Sequence, residues 1–168
     1  PEHNEKPLLM KEESYFFELS QFEKALEKKI SSGEFEILPE ERKNEVLSFL
    51  KRGLKDISIS RRNVRWGIPL PFDKNYTAYV WIDAFLNYLT GLDWRGGDEK
   101  IPEFFPADVQ LMSKDILRVH ATIWPALLLA LELPLPKKIF VHGYFTVDGQ
   151  KMSKSLGNVI WPEDLVEK

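Results

Sequence analysis

The sequence predicts an α/β protein in which parallel β-strands alternate with helices. After residue 75, short aromatic and β-branched runs alternate with longer runs of helical periodicity. Strand–helix–strand units of this kind form parallel sheets with right-handed crossovers. The chain has 168 residues, of which 43% are hydrophobic and 29% are charged, and this is typical of about one globular domain. We therefore expect half of a doubly wound sheet, preceded by a small helical part.

Two helices are predicted in the first third of the chain. The first opens at Ser20, with Glu23 three positions later in the arrangement of a capping box. The second begins near Pro39 and ends at Gly53, since proline is tolerated at a helix start and glycine is typical of a helix end. Their apolar faces are Phe22, Leu26 and Ile30 in the first helix, and Val46, Phe49 and Leu50 in the second.

A basic run follows the second helix. Six basic residues stand against one acid, Asp56, between residues 51 and 65. The run is either a solvated basic edge or a patch that faces phosphate groups, and composition alone favours the edge. The formal net charge of −3 excludes a global positive field that would draw the chain onto nucleic acid. The basic residues are Lys51, Arg52, Lys55, Arg61, Arg62 and Arg65.

The remaining elements are justified by residue type and by turn signals. Aromatic and β-branched residues predict strands, Gly91 closes a helix, and the Asp148-Gly149 pair predicts a hairpin turn. In order, we expect a strand at 76–81, a helix at 82–90, an irregular loop at 91–106, a strand at 108–112, a helix at 114–131, a strand at 138–142, a hairpin from 144, a basic loop at 150–158 and a helix from Pro162. Such an order is typical of half a nucleotide-binding sheet.

Several classes of protein are excluded by composition. The chain has no cysteine, so disulfides, thiolate nucleophiles and cysteine-ligated zinc are ruled out, and a reducing, cytoplasmic location is expected. The longest apolar stretch, 123–131, is too short to span a bilayer, and no secretory signal is present. Because the chain begins at Pro1 with a charged stretch that lacks periodicity, 1–13, we expect a connector within a longer protein.

The strongest chemical signal is the loop Lys151-Met152-Ser153-Lys154-Ser155. Two lysines three positions apart on a loop flanked by glycine supply mobile positive charges, which suit a triphosphate whose charge redistributes as pyrophosphate leaves. The alternative is an exposed hairpin with ordinary surface lysines.

The loop resembles the lysine signature of class I aminoacyl-tRNA synthetases at all five positions. Four further blocks resemble the methionyl-tRNA synthetases and stand in that family's order: SYFFELSQFEKAL (14–26), ISRRNVRWGIPLP (59–71), VWIDAFLNYLTGL (80–92) and SKDILRVHATIWPALL (113–128). The resemblance implies a Rossmann-like catalytic domain. It assigns 1–56 to the end of the connective insert, mainly helical, and 57–168 to the second half of the catalytic domain.

Two sets of residues are candidates for binding an apolar side chain. Trp81, Ala84 and Tyr88 are spaced i, i+3, i+7, and Ile116, His120 and Trp124 are spaced i, i+4, i+8, so each set can share a face. Were those faces to meet, they would make an aromatic box that suits a thioether, although ordinary core packing explains either stripe taken alone. The resemblance implies that all six residues hold the methionine side chain.

The resemblance also implies a nucleotide site. Asp115 follows a strand end, where doubly wound sheets bind nucleotides. It is otherwise a helix-start acid, but by resemblance it binds the adenosine ribose. Lys151, Ser153 and Lys154 are implied to bind ATP, with the two lysines as catalytic residues. Arg61 is implied to support the active site and is otherwise a surface ion-pair residue. Family members usually have glycine where this chain has Ser113.

The expected function is therefore methionine–tRNA ligation with ATP and Mg²⁺, and with tRNA(Met) as partner. The second class I signature, His-x-Gly-His, is absent, so we expect a missing N-terminal half of the catalytic domain as a further partner. No metal site is expected, zinc included. Two alternatives stay open: a leucyl, isoleucyl or valyl synthetase, and a non-catalytic tRNA-binding or assembly module that uses the basic run.

Overall fold

A computed structural model of the chain describes residues 11–64, 66–97 and 99–166. The first ten residues of the expected connector and Arg65 of the basic run lie outside the described residues. Nine strands and five α-helices are formed in this part of the chain. The strands are β1 (Phe16–Phe17), β2 (Glu36–Leu38), β3 (Ile57–Ser58), β4 (Ser60–Arg61), β5 (Thr77–Ala78), β6 (Val109–Ser113), β7 (Lys138–His142), β8 (Thr146–Val147) and β9 (Gln150–Lys151). The helices are α1 (Glu23–Ser32), α2 (Glu40–Leu50), α3 (Val80–Thr90), α4 (Leu117–Ala130) and α5 (Pro162–Val166).

The chain forms two compact units. One consists of the described part of 1–22 with Leu54–Phe105, and the other of Glu23–Gly53 with the described part of 106–168. These boundaries differ from the expected division at 56/57, because the stretch that carries α1 and α2 packs with the later residues. The assignment of 1–56 to a connective insert stays a prediction about family organisation.

A three-stranded parallel sheet forms the centre of the second unit, in the order β2-β7-β6. Alternate side chains point to opposite faces of a strand, and one face is covered. Ile37, Met112 and Ile139 are buried on it. Leu26 and Ile30 of α1 are also fully buried in this unit. The β6–α4–β7 connection is the expected parallel strand–helix–strand unit, and the α/β fold class is confirmed.

The long helix α4 is buried on most of its surface. A 3₁₀ turn over Lys114–Ile116 precedes it, and Leu117, Trp124 and Leu128 are fully buried. Pro125 lies inside the helix and is buried too. A helix that is apolar all round belongs in the interior, and this one occupies the core of its unit.

The first unit contains two short antiparallel pairs, β1 with β3 and β4 with β5. Phe85 and Leu89 on α3 are buried. The Tyr15 ring makes edge contacts with Phe72 and Tyr76, at centroid distances of 5.1 and 5.0 Å. Aromatic rings therefore contribute to the packing of this unit.

The strand predicted at 76–81 is mostly wrong. Only Thr77–Ala78 of this stretch forms a strand, and it pairs with β4 rather than with the parallel sheet. The helix begins at Val80, two residues earlier than expected, after the Tyr79 amide donates to the Ile59 carbonyl at 2.8 Å. Short apolar runs do not distinguish strand from helix by periodicity, and here tertiary pairing decided.

The sequence also missed β2, which is the third strand of the parallel sheet. It lies between α1 and α2, in a part of the chain expected to be mainly helical, and its Ile37 is fully buried. Three residues are too few for an alternating pattern to be recognised. The pairing with β7 is made by residues far along the chain, which local propensity cannot reveal.

The expected capping box at Ser20 is not formed as predicted. Ser20 lies in a 3₁₀ turn, and its hydroxyl and amide both donate to Asp56 Oδ1, at 2.7 and 3.1 Å. The helix itself starts at Glu23. A carboxylate distant in sequence has replaced the local cap.

The hairpin and the flanking elements agree with the sequence. β7 has the predicted bounds, and Asp148 and Gly149 form the β8–β9 turn with φ of 52° and 77°. Positive φ at both central residues is the requirement of a type I′ turn. No helix formed by the described residues has the length and apolarity that crossing a membrane requires.

Candidate active site

The candidate site lies where two parallel strands of the second unit end. Ser113 and His142 are the last residues of β6 and β7 and are paired in register. Asp115 and Tyr144 each follow two residues later. Because the carboxyl ends of parallel strands meet at one edge of a sheet, the two side chains are brought together.

Asp115 is the centre of a charged cluster. The Tyr144 hydroxyl donates to Asp115 Oδ1, and Lys151 Nζ lies 3.4 Å from Asp115 Oδ2. The Lys151 ammonium stands 3.7 Å from the centroid of the Tyr144 ring, and the Lys114 ammonium stands 4.5 Å from it. Asp115 and Lys151 were predicted from different sequence blocks, and the structure brings them into contact.

The electrostatics of the cluster keep Asp115 charged. The Tyr144 hydrogen bond, followed by the Lys151 and Lys114 charges, lowers the pKa of the Asp115 carboxyl. The same hydrogen bond raises the pKa of the Tyr144 hydroxyl. At neutral pH the pair is therefore a carboxylate that accepts from a protonated phenol.

A cavity of about 190 Å³ opens beside this cluster. Its lining includes Ser113, Asp115, His142, Tyr144, Lys151 and Met152. The His142 and Phe145 rings lie 5.1 Å apart at its rim. Ser113 has an extended backbone, with φ −81° and ψ 161°, so its backbone conformation is open to residues other than glycine.

The lysine loop is held in shape by Asn158. The Ser153 amide donates to Asn158 Oδ1 at 2.8 Å, and Asn158 Nδ2 donates to the Lys151 carbonyl at 3.2 Å. The Ser153 hydroxyl also accepts from the Ser155 amide at 3.2 Å. Gly157 then closes a 3₁₀ turn in the left-handed region, with φ 66°, where a side chain would be strained.

The two lysines of the loop have different surroundings. Lys151 is engaged with Asp115 and the Tyr144 ring. Lys154 is exposed, and its ammonium stands 5.8 Å from the centroid of the Trp161 ring. The loop therefore presents one cation next to the carboxylate and one directed elsewhere.

Ile116, His120 and Trp124 follow one another along the start of α4. His120 and Trp124 are buried, with 4% and 0% of their surface exposed, and Ile116 is half-buried. His120 Nδ1 donates to the Ile116 carbonyl at 2.9 Å. Burial lowers the pKa of His120, so its imidazole is neutral at neutral pH. A packing role explains this burial as well as a binding role does.

Trp81, Ala84 and Tyr88 all lie on α3, in the first unit. Trp81 is half-buried and stacks on Phe85 at 5.7 Å, whereas Ala84 is exposed and Tyr88 has 43% of its surface exposed. The core stripe of α3 is instead Phe85 and Leu89. The six residues are thus divided equally between the two units, and their meeting around one ligand stays a prediction.

Arg61 is held within the first unit. Its guanidinium donates to the Ser58 hydroxyl and the Ser60 carbonyl, each at 2.8 Å, and stacks 4.1 Å over the Tyr79 ring. It also lines a groove of about 740 Å³ with Trp66, Thr77 and Asp83, among others. None of the six residues expected to hold methionine lines this groove.

The basic run belongs to both units, with Lys51 and Arg52 in one and its later described residues in the other. Arg61 is engaged as above, and Arg62 pairs with Glu13. The sequence-based preference for an ordinary basic surface is therefore supported for these two arginines.

Sequence reasoning missed Tyr144 and Asn158. Tyr144 begins the expected hairpin and Asn158 ends the expected basic loop, but neither was singled out. Tyr144 could have been recognised from its position, since it is an aromatic residue with a hydroxyl group that follows its strand by as many residues as Asp115 follows the neighbouring strand. Asn158 could have been found as an amide that follows a glycine in the loop. Among residues 11–64, 66–97 and 99–166, no three His, Cys, Asp or Glu side chains come together as a metal site.

Comparison with protein families gives a match over residues 3–168 to the family described as tRNA synthetases class I (M). The chain belongs to this family. Named relatives of the family agree. The methionine–tRNA ligase of Clostridium acetobutylicum is 51% identical over 160 residues, which is 94% of this chain and 25% of that protein. The ligase of Streptomyces coelicolor is 46% identical over 165 residues, which is 98% of this chain and 31% of that protein.

Solved structures of the family are also similar to the chain. The methionyl-tRNA synthetase of Mycobacterium tuberculosis bound by methionyl-adenylate matches with a TM-score of 0.81 and 42% identity, over 93% of this chain and 31% of that one. Its apo form matches with a TM-score of 0.73 over 78% of this chain and 27% of that one. The chain spans between a quarter and a third of the length of the relatives it matches.

Proposed function

We propose that this chain supplies the second half of the catalytic site of a methionine–tRNA ligase. In the first step the methionine carboxylate attacks the α-phosphorus of ATP, which forms methionyl-adenylate and releases pyrophosphate. In the second step a hydroxyl of the terminal adenosine of tRNA(Met) attacks the methionyl carbonyl carbon, which forms the ester and releases AMP. Family membership supports this reaction, and the solved relative is described as bound by methionyl-adenylate.

The contact between Asp115 and Lys151 carries the proposal. A carboxylate that accepts hydroxyl hydrogens and a cation for phosphates stand 3.4 Å apart at the edge where such sheets bind nucleotides. We assign Asp115 to the ribose, and Lys151, Ser153 and Lys154 to the phosphates. The lysines stabilise the charge that moves onto pyrophosphate as it leaves.

Methionine is assigned to the six residues on α3 and on the start of α4. The neutral imidazole of His120 and the ring of Trp124 offer a polar tip and an aromatic wall. Ring edges make favourable contacts with thioether sulfur, whereas a branched aliphatic side chain gains little from them. The named relatives also favour methionine over leucine, isoleucine or valine.

Mg²⁺ belongs to the proposal as the ion that accompanies the nucleotide. It is commonly bound through substrate phosphates and one or two carboxylates. The described residues offer no group of three His, Cys, Asp or Glu side chains that would hold it alone, so the phosphates of the nucleotide would supply most of its ligands.

The missing N-terminal half is supported by the uncovered face of the sheet. Opposite the buried face, Leu111 and Val109 have 69% and 49% of their surface exposed, and Phe140 has 44%. Parallel sheets are normally covered on both faces, and β6 is the edge strand of the described sheet. We infer that the first half of the sheet, with the His-x-Gly-His signature, pairs with β6 and covers this face.

A non-catalytic tRNA-binding module is the second candidate. It draws on the basic run, but the engagement of Arg61 and Arg62 within the first unit weakens it. Salt-sensitive tRNA binding without ATP turnover would favour this module.

As part of the main proposal we place the enzyme in the cytoplasm, which the absence of cysteine favours.

The test is amino-acid-dependent exchange of pyrophosphate into ATP by the full-length protein. We expect exchange with methionine, and none with leucine, isoleucine or valine. Exchange that depends on one of those amino acids instead would show that the protein is a class I synthetase specific for that amino acid. The chain of 168 residues should be inactive alone and regain exchange when the N-terminal half is added. Exchange by the chain alone would contradict the split-site argument.

A further inference from the structure

We propose that Tyr144 is a positioning residue of this site, which orients Asp115 through its hydroxyl and holds Lys151 on its ring. The inference rests on the proposed function, because it concerns how the same site receives a nucleotide. Tyr144 itself has 37% of its surface exposed, so core packing does not explain its place.

The hydroxyl of Tyr144 fixes one oxygen of the Asp115 carboxylate. It donates to Oδ1, while Lys151 faces Oδ2 at 3.4 Å. A carboxylate has about four acceptor positions on its two oxygens. Asp115 can therefore keep the phenol as a donor and still accept hydrogens from the hydroxyls of a ribose. The phenol sets the orientation in which the carboxylate meets them.

The ring of Tyr144 holds the ammonium of Lys151 without neutralising it. Lys151 Nζ stands 3.7 Å from the ring centroid, and Lys114 Nζ stands 4.5 Å from it. The face of an aromatic ring attracts a cation through its quadrupole. Because the ring carries no net charge, it does not offset the positive charge of Lys151, which faces Asp115 and can also meet a phosphate.

The two interactions act on neighbouring parts of one ligand. In a nucleotide the ribose and the phosphates are joined through a single methylene group. When Asp115 binds the ribose, the phosphates of the same nucleotide therefore lie close to the Lys151 ammonium, which stands beside the Asp115 carboxylate. Tyr144 thus couples ribose recognition to the starting position of the lysine loop.

The experiment compares Tyr144→Phe with Tyr144→Leu in the full-length protein. Three quantities are measured in methionine-dependent exchange: the inhibition constant of adenosine, the KM for ATP, and kcat. The phenylalanine variant loses only the hydroxyl. The inhibition constant of adenosine and the KM for ATP should therefore rise by the same factor, about 3- to 10-fold, with little change in kcat. The leucine variant also loses the ring, so the KM for ATP should rise by a further factor of about 2 to 5. The kcat of the leucine variant should fall, while its inhibition constant for adenosine should equal that of the phenylalanine variant.

Tyr15→Phe is a matched control. The Tyr15 hydroxyl donates to Asp73 Oδ2 at 2.9 Å, and 38% of the Tyr15 surface is exposed, so the same kind of exposed tyrosine–aspartate bond is removed in the other unit. This variant should match the wild type in all three quantities. The KM for methionine and the thermal midpoint should be unchanged in all the variants.

Several results would overturn the inference. One is a phenylalanine variant of Tyr144 that behaves like the Tyr15 variant, and another is a leucine variant that is no worse than the phenylalanine one. A parallel rise in the KM for methionine with a lower thermal midpoint would assign Tyr144 a merely structural role. If the wild type shows no methionine-dependent exchange, the proposed function itself is refuted. Wild-type exchange with an unaffected Tyr144→Phe refutes the inference alone.

Discussion

Replacing Lys154 with alanine should greatly reduce adenylate formation and leave methionine binding almost intact. Lys154 is exposed, and the bonds that shape its loop are made by Ser153, Ser155 and Asn158 rather than by its ammonium. An exposed substitution of this kind usually changes stability by no more than about 0.5 kcal/mol. A loss of activity would therefore report on the chemistry, not on folding.

The size of the effect follows from the charge that Lys154 supplies. Two unit charges 4 Å apart attract by about 1 kcal/mol in water and by about 4 kcal/mol at the effective dielectric of a protein surface. The loss of one preorganised donor costs about 3 kcal/mol in comparable sites. Because Lys154 stabilises the charge on the departing pyrophosphate in the proposed reaction, we expect kcat for exchange to fall about 100-fold.

The assay pairs pyrophosphate exchange with a direct measurement of methionine binding in the full-length protein. Lys154→Arg keeps the charge and should lose much less activity. Lys24→Ala, which removes an exposed lysine from α1, should have no effect. A loss of less than about 5-fold for Lys154→Ala would mean that the charge acts through water only. An equal loss of methionine binding would refute the assigned role.

Three further predictions concern the strand, the histidine and the tryptophan. Ile37→Ala should destabilise the full-length protein by about 2–4 kcal/mol in urea unfolding, since Ile37 is fully buried in the sheet. Leu38→Ala, on the half-buried opposite face, should lower the free energy of unfolding clearly less. Equal losses for the two variants would contradict the assignment of this stretch as a strand with one buried face. Because burial lowers the pKa of His120, the KM for methionine should stay constant from about pH 8 to about pH 6.5 and rise only as the imidazole is protonated below that. A rise centred above about 6.5 would contradict this. Trp81→Ala should raise the KM for methionine about 10-fold through lost ring contacts and leave the KM for ATP unchanged, whereas Trp81→Phe should do less. A similar rise for ATP would remove Trp81 from the methionine site.

Part of the candidate site could be predicted because its motifs are local. The lysine loop is continuous in sequence, and the Asp148-Gly149 turn that presents it depends on residues at two adjacent positions. The strand Lys138–His142 is an apolar β-branched run with clear boundaries. Asp115 was found because it follows such a run. In each case the information lies within about ten residues, which is the range over which propensity acts.

Other parts of the site could not be predicted, since they depend on contacts between distant residues. Tyr144 and Asp115 meet only because β6 and β7 are paired in register. The start of α3 at Val80 follows the pairing of β4 with β5, and aromatic residues such as Trp81 suit strand and helix alike. Whether Trp124 packs or binds cannot be read from its spacing, because both roles use one apolar face.

The sequence by itself determined the fold class, the order of the main elements and the family, and it predicted the charged residues of the candidate site. These follow from periodicity, turn chemistry and continuous motifs, which are local properties of the chain. The tertiary structure decided which strand completes the sheet, where Ser20 finds its hydrogen-bond partner, and how Tyr144 ties Lys151 to Asp115. Those outcomes depend on which distant groups are buried or paired together, and the free energy of such contacts exceeds the small differences in local propensity.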